Sequence, residues 1–178
     1  EKEAKEIIYR KGDATQPVGE GNKILVHGCN DIGRWGKGFV MAVSKRWPEP
    51  EEAYRRWYND LESDSQPKRI PQGDVQFVSV NNNDNDNDKL WVANLISQYN
   101  IGRGGKKTGP PVRLSSIRTG LTTVAREAKE REASVHMPRI GAGLGGGKWE
   151  DIEVIVKEEL VDQGVCVTVY DFEEKKGR

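Results

Sequence analysis

Two stretches of this chain run from a strand-like apolar segment through a polar, glycine-rich turn into a helix-like pattern. They are VHGCNDIGRWGKGF, from Val26 to Phe39, and MPRIGAGLGGGKW, from Met137 to Trp149. Glycine reaches backbone conformations closed to other residues and lets a second group approach the main chain closely. A glycine loop that opens onto a helix N-terminus gathers backbone amides around a point of partial positive charge. Two such junctions call for strands whose carboxyl ends feed helices, which is how a parallel sheet covered on both faces is built.

The remaining pattern agrees. Strands are expected at Ile7–Arg10, Lys23–His27, Val75–Val80, Leu90–Ile96, Val135–Met137 and Val165–Tyr170. Helices are expected at Phe39–Trp47, closed by Pro48 and Pro50, then at Glu51–Tyr58, Val112–Glu132 and Glu150–Asp162. In the third helix the apolar stripe runs through Leu114, Ile117, Leu121, Val124, Ala125 and Ala128. Residues 60–72 are polar and proline-bearing and read as a loop. Strands interleave with helices, and several strands carry few charges. The expectation is the α/β class, a mixed, mostly parallel central sheet with helices on both faces. At 178 residues the chain fits one domain, 1–178, with charged ends at 1–6 and 173–178.

Charge narrows the partners. Lys plus Arg and Asp plus Glu both number 28, so the net charge is zero. That argues against a dedicated nucleic-acid binder, which needs a surplus of cations, but leaves room for a small anion held by amides. Cys29 and Cys166 each sit on or beside an apolar strand pattern and read as reduced core residues of an intracellular protein. The start, EKEAKE, has no apolar segment like that of a signal peptide, and no apolar run approaches the ~20 residues of a membrane span. A soluble, cytoplasmic domain without membrane attachment is expected. In the Asn/Asp tract at 81–88, Asp84, Asp86 and Asp88 alternate like the start of a calcium loop. The sixth position of that pattern holds Lys89 instead of glycine, and the twelfth holds Leu95 instead of an acid. The tract reads as a solvated hairpin loop, and neither a metal nor a cofactor is expected.

Neither glycine loop is a P-loop, because GKG and GKW lack the Ser or Thr that holds magnesium. Neither fits the dinucleotide fingerprint with its acid about 20 residues further on. Two loops at the carboxyl ends of parallel strands face one crevice, and together they suit a diphosphate better than a single phosphate. Glu150, Asp151 and Glu153 already complement the dipole of the last helix, which favours simple turns at the second loop.

With YRKGDAT near the start and VTVYDF near the end, these two segments resemble the signature segments of the macro domain family, in the same order and spacing. The resemblance covers nearly the whole chain. Within the family it lies nearest the branch of ADP-ribose 1''-phosphate phosphatases and terminal ADP-ribose glycohydrolases. It is also similar to the macro module of a chromatin remodeller that reads poly(ADP-ribose). It implies a three-layer α/β/α fold with ADP-ribose, or a derivative, in a crevice above the sheet, and ADP-ribosylated protein as a further partner.

By the same resemblance, Asp13, with Ala14 beside it, meets the adenine amino group; the residues alone read Asp13 as a turn-former. Asn30 matches the position beside the distal ribose, and Asp31 is a second ribose contact or a helix-entry cap. Gly33, Trp35, Gly36, Lys37 and Gly38 would form the first phosphate wall. Gly141, Ala142, Gly143, Leu144 and Gly145 would form the second. Tyr170 or Phe172 would stack on adenine, or else cap the last strand. The catalytic candidates are His27, Asn30 and Asp31. His27 matches the histidine of the phosphatase-like members and reads as a general acid or base, or as a strand-end histidine satisfied by a carbonyl. The lysine and aspartate of the glycohydrolase branch are replaced by Gln98 and Gly145, which removes its nucleophile and its acid/base. Two function classes stay open: a hydrolase of free ADP-ribose derivatives and a non-catalytic ADP-ribose reader.

Overall fold

Strand residues alternate between two apolar interiors, and that alternation sets the layers. In β2 (Asn22–Asn30), Ile24 and Val26 face one cluster while Leu25 and Cys29 face the other. β4 (Leu90–Gln98) repeats the pattern, with Ala93 and Leu95 on the first side and Val92 and Ile96 on the second. α3 (Leu114–Glu130) and α4 (Trp149–Glu159) close the first cluster. α1 (Phe39–Arg46) and α2 (Glu49–Asn59) close the second. A parallel strand covered on both faces must be apolar on both, which is why β2 and β4 lack a polar side.

The computed structural model describes residues 6–81, 87–102, 109–143 and 145–173. Among them β1 (Ile8–Lys11), β3 (Val75–Val80), β5 (Ala133–Met137) and β6 (Val167–Asp171) complete a six-stranded sheet in the order β1-β6-β5-β2-β4-β3. β3 pairs antiparallel with β4, and every other pairing is parallel. This is the three-layer α/β/α arrangement expected, with its mixed, mostly parallel sheet. No helix among the described residues is long and apolar enough to cross a membrane.

Several boundaries differ from expectation for identifiable reasons. β2 continues past His27 to Asn30, so Gly28 belongs to the strand; a Cβ there would lie 2.5 Å from Ser97 Oγ on the neighbouring strand. Pro48 caps α2 and Pro50 sits in its first turn, so Pro50 opens the second helix instead of closing the first. The missing N–H of proline costs nothing in a first turn. α4 stops at Glu159, and residues 161–163 tighten into a 3-10 turn that Gly164 ends at φ 86°. Cys29 is buried, but Cys166 is exposed and is not a core residue. The inward positions go to Val165, Val167 and Val169, and Cys166 precedes the first residue of β6. The Asn/Asp tract joins antiparallel strands, as a hairpin loop does, although residues 82–86 of it lie outside those described.

Gly120 shows how tightly α3 seats on the sheet, since a Cβ there would fall 2.7 Å from Leu95 Cδ1. Gly120→Ala gains roughly 1 kcal/mol of helix propensity but overpacks the interface by about 1–3 kcal/mol. Urea denaturation is expected to show a net loss in the native background. In a Leu95→Ala background the same change should be neutral or stabilising, and a gain in the native background would refute the tight contact.

Candidate functional site

A cleft of about 800 Å³ opens above the carboxyl ends of β2, β4 and β5. The segment from Arg34 to Val40 forms one wall, and Pro138–Gly141 with Gly143 and Gly145 forms the other. Both glycine loops therefore face one crevice, as their placement after parallel strands requires. The glycines divide into two kinds. Gly33, at φ +75°, would drive a Cβ to 2.3 Å from the Tyr58 ring. Gly141, at φ +74°, would drive one to 2.7 Å from Val112. Those two are required by the chain's own packing. At Gly36 and Gly143 a Cβ would meet nothing within 4 Å, so both present bare backbone to open space, although Gly36 also turns at φ +90°.

The helix termini behind the walls differ too. α1 begins at the cleft with Gly38 as its N-cap, no side-chain cap and no acidic residue in its first turn. Its free amides and partial positive charge are left for an outside anion. α4 carries Glu150 and Asp151 in its first turn, so its dipole is already complemented.

The first wall is held by Asn30. Its Oδ1 accepts from Ile32 N at 3.1 Å, Arg34 N at 3.3 Å and the Tyr54 hydroxyl at 2.8 Å. Its Nδ2 donates to the Arg34 carbonyl. Tyr54 also lies 2.7 Å from the Asn30 carbonyl, and burial pushes its phenol pKa up, keeping it a donor. Trp35 turns inward and donates from Nε1 to Ser44 Oγ at 2.7 Å, and that hydroxyl donates to Glu51 Oε1 at 2.9 Å.

His27 forms part of the floor, edge-on to Trp35 at 5.4 Å. Asn94 Nδ2 donates to the Pro50 carbonyl and to Gln76 Oε1, so Asn94 Oδ1 faces His27 Nε2 at 2.6 Å. Nε2 is therefore the protonated nitrogen. Nδ1 is a bare lone pair, buried and without a hydrogen-bond partner.

Other predicted residues stand elsewhere. Asp31 is buried away from the cleft lining; its Oδ1 accepts from Arg69 Nη1 at 3.0 Å and Asn100 N at 2.9 Å, and its Oδ2 from Gln72 Nε2 at 3.1 Å. It ties three loops together and does not cap α1. Asp13 Oδ1 accepts from Thr15 N and Thr15 Oγ1, an Asx turn whose Thr15 is clamped to α1 by Arg46. Ala14 is buried against the α1–α2 core, and Ala142 packs on the α3–α4 core. Tyr170 is buried, its hydroxyl between Val18 N and His136 Nδ1, whereas Phe172 is 73% exposed. Leu144 lies outside the described residues.

The cleft also gathers residues that the sequence did not single out. Arg34 lies inside the first quoted motif and Arg139 inside the second. Arg139 clasps Asp171 through both oxygens and lies over the rings of Tyr9 and Trp149. Arg55 comes from α2, where nothing in the helical pattern separates it from a solvated charge.

No family model matches the chain. A solved macrodomain protein from Streptomyces coelicolor is 47% identical, with a TM-score of 0.75, covering 93% of this chain and 99% of that one. A solved protein of unknown function from Bacteroides thetaiotaomicron is 52% identical, with a TM-score of 0.83 and coverage of 94% and 99%. DarTG of Thermosipho africanus, solved in complex with ADP-ribose, shares the fold at 18% identity and a TM-score of 0.65, covering 87% of this chain and 39% of that one. Among characterised relatives, the chromodomain-helicase-DNA-binding protein 1-like protein of Mus musculus is 29% identical over 97% of this chain. This chain spans only 18% of that protein's length. An ADP-ribose 1''-phosphate phosphatase of Candida albicans is 27% identical over 85% of this chain and 92% of its own.

Two buried histidines, His27 in the floor of the cleft and His136 beside Tyr170, couple the stability of the fold to pH. Burial lowers the His27 pKa from 6.5 to about 4, opposed in part by the Asn94 bond. Burial and nearby Lys23 lower His136 to about 3. Below 6.5 the unfolded chain takes up protons that the fold refuses, so stability falls as pH falls toward these values. Each histidine contributes a slope of about 1.4 kcal/mol per pH unit inside its window. Urea midpoints are expected to drop between pH 6.5 and 5, and His27→Gln should flatten that slope by about half. A pH-independent midpoint there would contradict the buried neutral state.

Proposed function

The chain belongs to the macrodomain family, and from that premise we propose that its cleft binds ADP-ribose with the diphosphate between the two glycine loops. The observation that carries this reading is the pair of bare backbone positions, Gly36 and Gly143, facing one cleft beside the uncapped start of α1. Amides converging on a diphosphate are charge-assisted donors, worth roughly 1.5–3 kcal/mol each. Asp13 Oδ2 takes the adenine amino group, and the exposed Phe172 ring covers the base. Asn30 faces the distal ribose with its second Nδ2 hydrogen. The likeness to DarTG, whose structure holds ADP-ribose, and to ADP-ribose 1''-phosphate phosphatases supports the same ligand class.

Hydrolysis of a 1''-phosphate ester is the reaction that this lining suits. A water oxygen bonds to phosphorus, the bond from phosphorus to the 1'' oxygen breaks, and one water proton ends on the departing oxygen. Oriented amides and cations stabilise the charge that builds up on phosphate. The glycohydrolase-type lysine adduct lacks support, since Gln98 stands at the position of that lysine and Gly145 at that of the aspartate. His27 is neutral near pH 7 and cannot act as an acid there, so its role would be that of an acceptor through Nδ1. One observation favours a non-catalytic reader instead: Nδ1 is sealed from solvent, and no carboxylate lines the cleft among the described residues.

Calorimetry is expected to rank ADP-ribose above AMP and AMP above adenosine, with the first and last separated by orders of magnitude. Equal affinity for ADP-ribose and adenosine would sink the diphosphate reading. Gly143→Glu has room for its side chain and should abolish binding with an unchanged melting curve. Phosphate release from ADP-ribose 1''-phosphate, slowed in His27→Ala while ADP-ribose affinity holds, marks the hydrolase. Tight binding with no release from either protein marks the reader.

A further inference from the structure

The two edges of the sheet are built differently. β1 is four residues long and carries Arg10 and Lys11, and shortness and charge are the usual guards of an open edge. β3 is six residues long and reads VQFVSV, with no charged residue, no proline and no glycine. Antiparallel pairing with β4 occupies one side of its backbone. Among the described residues nothing hydrogen-bonds to the backbone on its other side. An uncharged, regular edge of this length is a template for a further strand.

The ladder fixes which backbone groups are left over. Ile96 N donates to the Asp74 carbonyl and Ile96 O accepts from Gly73 N, so the main chain of Ile96 faces β3. Antiparallel pairs alternate between hydrogen-bonded and non-bonded from there on. The bonded pairs are Gln76 with Asn94, Val78 with Val92 and Val80 with Leu90. Val75, Phe77 and Ser79 stand in the non-bonded pairs and turn their N–H and C=O groups outward. Val75 and Phe77 are half-buried and Ser79 is exposed. On the α3 side of the sheet, Val75, Phe77 and Trp91 rim the first core, and Arg131 lies over the rings of Phe77 and Trp91 at 5.2 and 4.6 Å.

We propose that β3 pairs antiparallel with β3 of a second copy of this chain, about a twofold axis through Phe77. The outward residues are spaced evenly to either side of Phe77, so the edge is its own complement. That axis sets Phe77 against Phe77 and, twice over, Val75 of one copy against Ser79 of the other. Each of these pairs exchanges both of its hydrogen bonds. The two Phe77 side chains meet at the axis as a cross-strand aromatic pair, the kind that steadies a ladder. Charge does not oppose the contact. The strand has none, and the 28 basic and 28 acidic residues of each copy cancel, so two copies carry no net repulsion. β3 runs antiparallel to β4 and to its own copy, so the two clefts open at opposite ends of the joined sheet, clear of the contact.

Analytical ultracentrifugation and amide hydrogen exchange, each over a concentration series, test the pairing. The native chain is expected to double its mass between about 5 and 500 μM, where small interfaces associate. Over the same range exchange at Val75, Phe77 and Ser79 should slow, while Gln76 and Val78, already bonded to β4, stay protected throughout. Ser79→Pro removes an outward N–H and no ladder bond, a place where an edge strand accepts proline, and it should hold the chain monomeric at about 500 μM. Ser79→Lys puts a charge on the same exposed position and should do likewise, which covers the case of a proline variant that fails to fold. A native chain that stays monomeric with fast exchange at all three residues would overturn the proposal. Slow exchange at all three in a monomer would mean that the chain covers its own edge, and would overturn it too. So would a dimer that survives both substitutions.

Discussion

The side-chain amide of Asn30 ends the central strand and begins the first wall of the cleft. The register of β2 against β4 slips between Cys29 and Asn30, so the backbone leaves the ladder there and needs other partners. Asn30 supplies them, taking two amides and a phenol on its oxygen and giving a proton to the Arg34 carbonyl. Trp35, Gly36, Lys37 and Gly38 then follow in a fixed direction toward α1. Asp31, one residue on, pins the opposite side through Arg69, Gln72 and Asn100. Neighbouring residues thus build the cleft wall and the scaffold behind it.

Much of the fold was legible because its signals are local. Period-two and period-3.6 patterns, prolines and glycines placed most elements to within a few residues. The two glycine loops were legible as a crevice because each follows a strand. The sequence could not sort their glycines, since a turn that needs φ near +75° and a backbone that must be approached look alike as letters. Packing separates them in part: Gly33 and Gly141 have neighbours in the way of a Cβ, Gly143 has neither a neighbour nor a positive φ, and Gly36 combines open space with φ +90°. Asp31 was unreadable for another reason. Its partners lie 38 and 69 positions away, and no short-range pattern announces a buried carboxylate tying distant loops. Cys166 was misjudged because an apolar neighbourhood in sequence does not say on which side of a strand's start a side chain falls.

A net charge of zero hides how the charges are distributed. A balanced chain has little long-range field to draw in a polyanion, yet the charged residues lining this cleft, Arg34, Lys37, Arg55 and Arg139, are all cations. Whether a helix arginine is a solvated charge or part of such a cleft depends on what holds its other end. For Arg55 the answer lies in a run of hydrogen bonds from Trp35 through Ser44 and Glu51, which joins two helices and a loop. The likeness to the Streptomyces coelicolor macrodomain protein covers nearly all of both chains, so the scaffold is shared. Gln98, Gly145 and His27 all line the cleft of this chain.

The central claim is that backbone amides of the two glycine loops, with the start of α1, hold the diphosphate of ADP-ribose. Amide chemical shifts followed by two-dimensional NMR during an ADP-ribose titration test it most directly. The account predicts the largest changes at Gly36, Lys37, Gly38, Phe39 and Gly143, which should be absent when adenosine is titrated instead. Changes confined to the outer surface of α3 and α4, or the same loop changes with adenosine as with ADP-ribose, would contradict it.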